Sequence, residues 1–355
     1  MKVLIIQQKM IGDVLTSSLL FEALRSKYPD AELHYLIKRN TFPVVKSNPY
    51  IDKIIFDRED QFEKKLNFLF FMSRLRKEHY HAVIDVYSKI GSALLTYGTN
   101  AHIRVGRKKW YTWFLYTVTI PYKKSLKSIV GKAIKFRMDL LRPLGITGDG
   151  LHSPKILLSQ EEREDAKTFI KKSGVDLNKT LVMCSVLGSG VSKTYPLKYF
   201  AEVLETVISA GDVELLFNYM PSQYDYVEQL LEFCSDDVRI KVKRSCYATN
   251  LRQFIAITSF CDMLIGNEGG AVHMAKAVGV PTFAIFSPQI TKDAWFNRTS
   301  IKDEAVHLRD YEPEVFEQYP DRKQILSANG ILYKLFKPNL FKNLLNDFVN
   351  KNLKR

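Results

Sequence analysis

The chain has 355 residues, 46% of them hydrophobic and 25% charged, with a formal net charge of +14. This composition excludes disorder, and the length exceeds one ordinary core, so two domains of about 150 to 180 residues are expected. The four cysteines show no CxxC spacing and no neighbouring histidine cluster, which excludes a disulfide framework and a zinc site and leaves buried free thiols in a reducing compartment.

Val3–Ile6 reads as a strand whose apolar run stops at Gln7, Gln8 and Lys9, too early for a signal-peptide core. Val14–Tyr28 follows as a helix, then Leu33–Ile37, Lys53–Phe56 and Ala82–Val86 as strands with helical segments between them. From Arg104 to Arg142 there are eleven Lys or Arg against one acidic residue, Asp139, a patch that attracts an anionic partner. Within it, Trp110–Tyr116 reads either as a buried strand or as aromatics at lipid-headgroup depth, beside Lys123, Lys124, Lys127, Lys132, Lys135 and Arg137. The Gly-rich Leu144–Pro154 breaks the rhythm and marks the domain junction, with Lys155–Leu158 a strand of either side. Thr180–Cys184, Glu214–Asn218, Val238–Val242, Met263–Ile265 and Thr282–Phe286 continue as strands, and Pro338–Leu353 closes as an amphipathic helix.

Alternation of this kind predicts an α/β fold of two successive doubly wound parallel sheets. The expected division is 1–155, 156–330 and a final segment, 331–355, turning back toward the first domain. No apolar run reaches 18 residues, so no membrane span is expected and the chain is placed in the cytoplasm. No zinc finger, RRM signature or helix-turn-helix accompanies the basic patch, which sets nucleic acid aside as a partner.

Ligands of open parallel sheets bind beyond the carboxyl ends of the strands, and two such sheets facing each other make a cleft. The first such loop, Gln7–Leu15, is not GxGxxG, so a dinucleotide oxidoreductase loses its main support. Gly12 permits close backbone approach, and Asp13 has two readings. It is either a helix N-cap or a general base pointing into the cleft.

Lys2–Ile6, followed by Ile11–Leu15, Leu20–Arg25 and Tyr28-Pro29, resembles the opening of glycosyltransferase family 9, which includes the lipopolysaccharide heptosyltransferases. Gly266–Ala275, followed by Ala277–Thr282, resembles a second motif of the same family. The resemblance implies a GT-B architecture, two Rossmann-like domains facing across a cleft. It also implies inverting, metal-independent transfer without a cofactor, from a nucleotide-sugar co-substrate, usually ADP-heptose, to the lipopolysaccharide inner core. Asp13 falls on the family's proposed catalytic base, and the chain has no Asp-x-Asp triplet for a divalent ion.

Without a metal, the leaving diphosphate needs backbone N–H groups and a cation. Gly188 and Ser189 supply a Gly/Ser-rich turn, and Lys193 resembles the family's phosphate-binding lysine before an aromatic–Pro pair, with Tyr195 in place of the usual Trp. The alternative for Lys193 is a solvated loop lysine. Gly269 and Gly270 open a helix and offer N–H groups. Glu268 accepts from sugar hydroxyls or serves the helix terminus as a favourable charge, and His273 is expected to orient the loop. The family commonly has Asp at the Glu268 position, and the extra methylene moves the carboxylate by about 1.5 Å. Gln223 stands near the family's ribose-binding Glu.

On the acceptor side, Gly12, Arg104, Arg107 and Lys108 are assigned to an anionic glycolipid, with peripheral electrostatic contact to the inner face of the cytoplasmic membrane. The alternatives are transfer of another sugar, a hexose or N-acetylhexosamine, onto a surface glycan, and a non-catalytic binder of nucleotide sugar or glycolipid.

Overall fold

The computed structural model describes residues 1–57, 65–122, 131–147, 153–296 and 300–354. Lys123, Lys124 and Lys127, and residues 148–152 of the expected junction, lie outside the described residues. The chain divides into two units, Met1–Leu157 and Leu158–Phe296 with Ser300–Arg355.

The first unit holds a six-stranded parallel sheet of β1 (Lys2–Ile6), β2 (Glu32–Lys38), β3 (Lys53–Asp57), β4 (Ala82–Asp85), β5 (Ile103–Arg107) and β6 (Val118–Ile120). Their order is β3-β2-β1-β4-β5-β6. Val3 pairs with Leu33 on one side and Ala82 on the other, so β1 is central and Val3–Ile6 is buried throughout. Strands covered on both faces need continuous apolar runs, which is why β1 to β4 are plain in the sequence. The expected helix Val14–Tyr28 is two helices, Ile11–Ser17 and Leu19–Lys27. At the break, Ser17 and Ser18 turn their hydroxyls back onto the carbonyls of Asp13 and Leu15, both at 2.7 Å, in the serine fashion that bends helices.

The second unit holds five parallel strands, β7 (Thr180–Ser185), β8 (Val213–Phe217), β9 (Met263–Asn267), β10 (Thr282–Ile285) and β11 (Glu304–Val306). Their order is β11-β10-β9-β7-β8. The strand expected at Val238–Val242 is instead a helix, Asp236–Lys241, capped by the Ser235 hydroxyl on the Val238 N–H, with a single parallel bridge left between Val242 and Leu215. Counting that bridge as a vestigial strand, both sheets follow one doubly wound plan. Lys155–Leu158 forms no strand. The closing segment is a short 3-10 turn, Pro338–Leu340, and a helix, Lys342–Asn352. Its apolar face, Leu345, Phe348 and Val349, lies in the core of the second unit with Phe283 and Phe341. The segment 331–355 therefore belongs to the second unit, a correction to the expected return toward the first.

All four cysteines are buried free thiols, and burial pushes each above the ordinary thiol range. Among the described residues no helix is long and apolar enough to cross a membrane.

Candidate functional site

In each sheet the strand order reverses once, between β1 and β4 in the first unit and between β7 and β9 in the second. Loops leaving the carboxyl ends of those strands diverge and open a crevice, the natural ligand position of a doubly wound sheet.

In the first unit that crevice receives Asp13. The helix Ile11–Ser17 is capped at Met10 without any side-chain bond, and Asp13 lies inside its first turn. The capping reading of Asp13 therefore gives way to a different arrangement. Its carboxylate accepts from Arg137 Nη2 at 2.5 Å. Arg137 comes from the helix Lys132–Asp139 and is almost fully buried. Its Nε donates to Ser17 Oγ at 2.9 Å and its Nη1 to the Ala133 carbonyl at 2.9 Å, so the guanidinium plane is fixed on three sides.

Arg107, at the carboxyl end of β5, joins the same neighbourhood. Its guanidinium carbon lies 3.9 Å from the Phe136 ring centroid, and its buried Nε has no hydrogen-bond partner among the described residues. Burial, with Arg137 as a second cation nearby, pulls Arg107 down to about 10. Arg107 is half-buried and feels the Asp13 and Asp85 carboxylates, and a partly desolvated cation still gains from a further anion. Asp85, at the end of β4, is fully buried; it accepts from the Ser88 N–H and the Tyr116 hydroxyl, both at 2.7 Å. Burial nonetheless pushes Asp85 up to about 6.

Of the other assigned residues here, Gly12 accepts at its carbonyl from Thr16 Oγ1 at 2.7 Å, and Lys108 is exposed just beyond Arg107. Arg104 sits three residues back along β5, where it donates to the carbonyls of Ala101 at 2.7 Å and Leu115 at 3.4 Å. It is a structural tie rather than a companion of Arg107. Trp110–Tyr116 is no strand: Leu115 and Tyr116 are buried, while Trp110, Trp113 and Phe114 stand in solvent.

In the second unit the loop after β7 runs through Gly188 to a 3-10 turn, Val191–Lys193. A Cβ on Gly188 would collide with the Lys193 carbonyl, so the loop folds back tightly on itself. The Gly188 N–H is used inside this fold, donating to Thr194 Oγ1 at 3.1 Å, which removes it from the expected diphosphate donors. Ser189 remains exposed, and Lys193 is half-buried. Gln223 closes its own turn by accepting from the Met220 N–H at 2.9 Å, and its amide nitrogen lies 3.5 Å from the Gly188 carbonyl.

Asn267, the last residue of β9, ties this loop to the next. Its Oδ1 accepts from the Tyr195 N–H at 2.6 Å, and its Nδ2 donates to the carbonyls of Ser185 at 3.0 Å and Val186 at 2.9 Å. Gly266, at φ 139°, has no room for a Cβ against the Ser185 carbonyl. Tyr195 is fully buried, and its hydroxyl donates to the Phe336 carbonyl at 2.5 Å. Glu268 follows, its carboxylate 3.4 Å from His273 Nε2 and mostly shielded. The helix Gly270–Ala277 begins beside it, and a Cβ on Gly269 would meet nothing within 4 Å, so the approach to that helix start is open.

The structure thus gathers Asp13 and Arg107 at one crevice, and Lys193, Gln223, Glu268 and His273 at the loops of another. Arg137 and Asn267 carry no signal of their own in the sequence: one lies within a run of basic residues, and the other inside the Gly266–Ala275 motif.

Residues 69–317 match the family described as glycosyltransferase family 9 (heptosyltransferase). The lipopolysaccharide heptosyltransferase 1 of Campylobacter coli is 24% identical over 305 residues, covering 81% of this chain and 84% of that protein. A glycosyltransferase family 9 structure from Veillonella parvula superposes with a TM-score of 0.73 at 18% identity, covering 94% of this chain and 97% of that one. The E. coli heptosyltransferase WaaC with ADP-2-deoxy-2-fluoro heptose superposes with a TM-score of 0.64 at 15% identity, covering 86% and 93%.

Proposed function

The chain belongs to glycosyltransferase family 9 and is a glycosyltransferase of GT-B fold; from that premise we propose that it moves heptose from ADP-heptose onto the lipopolysaccharide inner core with inversion and without a metal. The observation that carries this reading is the Asp13 carboxylate held by buried Arg137, with half-buried Arg107 in the same neighbourhood. Asp13 takes the proton of the acceptor hydroxyl. The freed oxygen attacks the anomeric carbon from the face opposite the diphosphate. The carbon–oxygen bond to the diphosphate breaks, and its electron pair leaves with ADP.

Lys193 and the N–H groups at the start of Gly270–Ala277 offset the charge that develops on the leaving group, so no cofactor is called for. Glu268, steadied by His273, accepts from hydroxyls of the donor sugar, and Gln223 serves the ribose. Arg107 and Lys108 receive the anionic groups of the glycolipid acceptor, while Gly12 keeps the backbone low where that acceptor lies. The acceptor is membrane-borne, so peripheral contact with an anionic membrane surface is part of the same proposal.

The test is purified protein with ADP-heptose and heptose-deficient lipopolysaccharide, reading ADP release and product mass. Asp13→Asn is expected to bind ADP normally and to lose about 10²- to 10⁴-fold in turnover. Near-wild-type turnover in that variant removes Asp13 from the mechanism. A second reading, transfer of a hexose or N-acetylhexosamine, draws on Glu268, whose reach differs from that of Asp. A donor panel resolved by product mass decides between the two.

A further inference from the structure

The helix Ile90–Gly98 buries Ser92, Ala93, Leu95 and Thr96 and leaves Ile90, Leu94 and Tyr97 in solvent. Positions spaced by four and three residues share one helix face, so these three form a continuous apolar strip. Beside it, Trp110, Trp113 and Phe114 expose 87%, 56% and 60% of their surface. Single exposed apolar residues are ordinary, but a contiguous strip with three aromatic side chains is not.

The turn carrying those aromatics is fixed along the helix. Leu115 shares a buried cluster with Ala93 and Tyr116. Lys109 Nζ donates to the Ser88 carbonyl just ahead of the helix. At the far end, Arg104 donates to the Leu115 carbonyl while its guanidinium lies 5.7 Å from the Tyr97 ring centroid. Strip and turn therefore make one surface.

Charge selects the occupant. Lys89 and Lys108 are exposed at this surface, with Arg104 and Lys109 beside them, and no Asp or Glu occurs anywhere from Val86 to Met138. A second copy of the chain would set these cations against themselves. An anionic bilayer offers phosphates to the cations and an acyl region to the apolar side chains, with aromatic rings at headgroup depth. We propose that this face of the first unit inserts into an anionic phospholipid surface. The inference rests on the membrane-borne acceptor proposed above and turns an electrostatic contact into an insertion.

The experiment floats the full chain with vesicles of phosphatidylcholine alone or mixed with phosphatidylglycerol, at low and high salt. Wild type should bind the mixed vesicles, and salt should weaken that binding without abolishing it, because the apolar part is unscreened. Trp113→Ser with Phe114→Ser, and separately Leu94→Asn, should each lose at least about tenfold in partitioning while keeping the wild-type melting temperature. Vesicle binding unchanged in both variants, or absent in wild type, overturns the proposal. Loss of a dimer in either variant assigns the face to a second copy and also overturns it. Transfer to a water-soluble acceptor fragment should be untouched in these variants, and transfer to a vesicle-embedded acceptor reduced. If no donor supports transfer, the catalytic reading fails while the flotation result still decides the surface.

Discussion

Arg137→Met removes the partner of Asp13 without changing the charge or reach of Asp13 itself. The Arg137 side chain is 4% exposed and that of Asp13 30%. Breaking a fully buried pair from one side costs about 3–5 kcal/mol. Asp13 keeps part of its hydration, so about 2–3 kcal/mol is expected, including the bonds lost to Ser17 and the Ala133 carbonyl. At roughly 2–4 °C per kcal/mol, the melting of the first unit should fall by about 5–10 °C. A base that is no longer held in place should also lose on the order of 10²-fold in kcat. The donor KM should stay unchanged, since every residue assigned to the donor lies in the second unit. Arg137→Lys keeps the charge but cannot bridge three acceptors at once, so it should recover more stability than rate. Calorimetry and initial rates on the folded variants provide the check. If Arg137→Met retains kcat within about threefold of wild type, the pair is structural only and does not position a catalytic base.

Asp85, pushed up to about 6, opposes folding progressively as pH rises from its unfolded value near 3.8, fully above about 6 and not at all well below 3.8. Asp85→Asn should therefore stabilise the first unit at pH 8 by up to about 3 kcal/mol, a gain that vanishes by about pH 4 in a melting series. A variant destabilised equally at both pH values would show that the carboxylate form is wanted. His307 has the opposite sign: burial pulls it down to about 4, and its ring nitrogen accepts from the Arg309 N–H at 3.0 Å. Its contribution is intact above about pH 6.5 and is lost as pH falls toward 4, so His307→Asn should flatten that part of the acid melting curve of the second unit. An unchanged slope would rule His307 out as the titrating group. Asn267→Ala orphans three backbone groups and should weaken ADP binding by about tenfold or more, with kcat at saturating donor little altered. Titration calorimetry with ADP gives the answer, and an unaltered Kd would separate this tie from the donor site.

Strands buried on both faces were legible because their apolar runs are nearly unbroken, with only His34 in β2 and Glu214 in β8 as buried polar exceptions: β1, β2, β7, β8 and β10 stand almost as the sequence predicts. Strand β5 and the edge strands β6 and β11 were not. The first mixes Arg104, Gly106 and Arg107 into its run, and the others are three residues long, too short to display a period. Val238–Val242 has the apolar residues of a strand, but the helix signals around them prevail: Ser235 as a cap, Asp236 and Asp237 in the first turn, and Arg239 and Lys241 in the last. Asp13, Lys193 and Glu268 could be singled out as candidates because they lie in the connections that follow β1, β7 and β9 and sit in recognisable motifs. Arg137 could not, because its bond to Asp13 spans 124 residues and the basic run around it disguises one buried arginine as surface charge. The link from Asn267 to Tyr195 spans 72 residues, and only the folded chain reveals it.

Gly188 and Gly266 each meet another stretch of main chain where no side chain fits, and Asn267 bolts those stretches together. The shape of the second unit's loops is thereby settled by backbone against backbone, before any group that reads the sugar is considered. Glu268 is a tenant of that frame, not one of its beams. Its identity can drift, in evolution or by engineering, at little cost to folding, and under the donor-sugar role proposed for Glu268 the choice of monosaccharide would be open to revision one residue at a time.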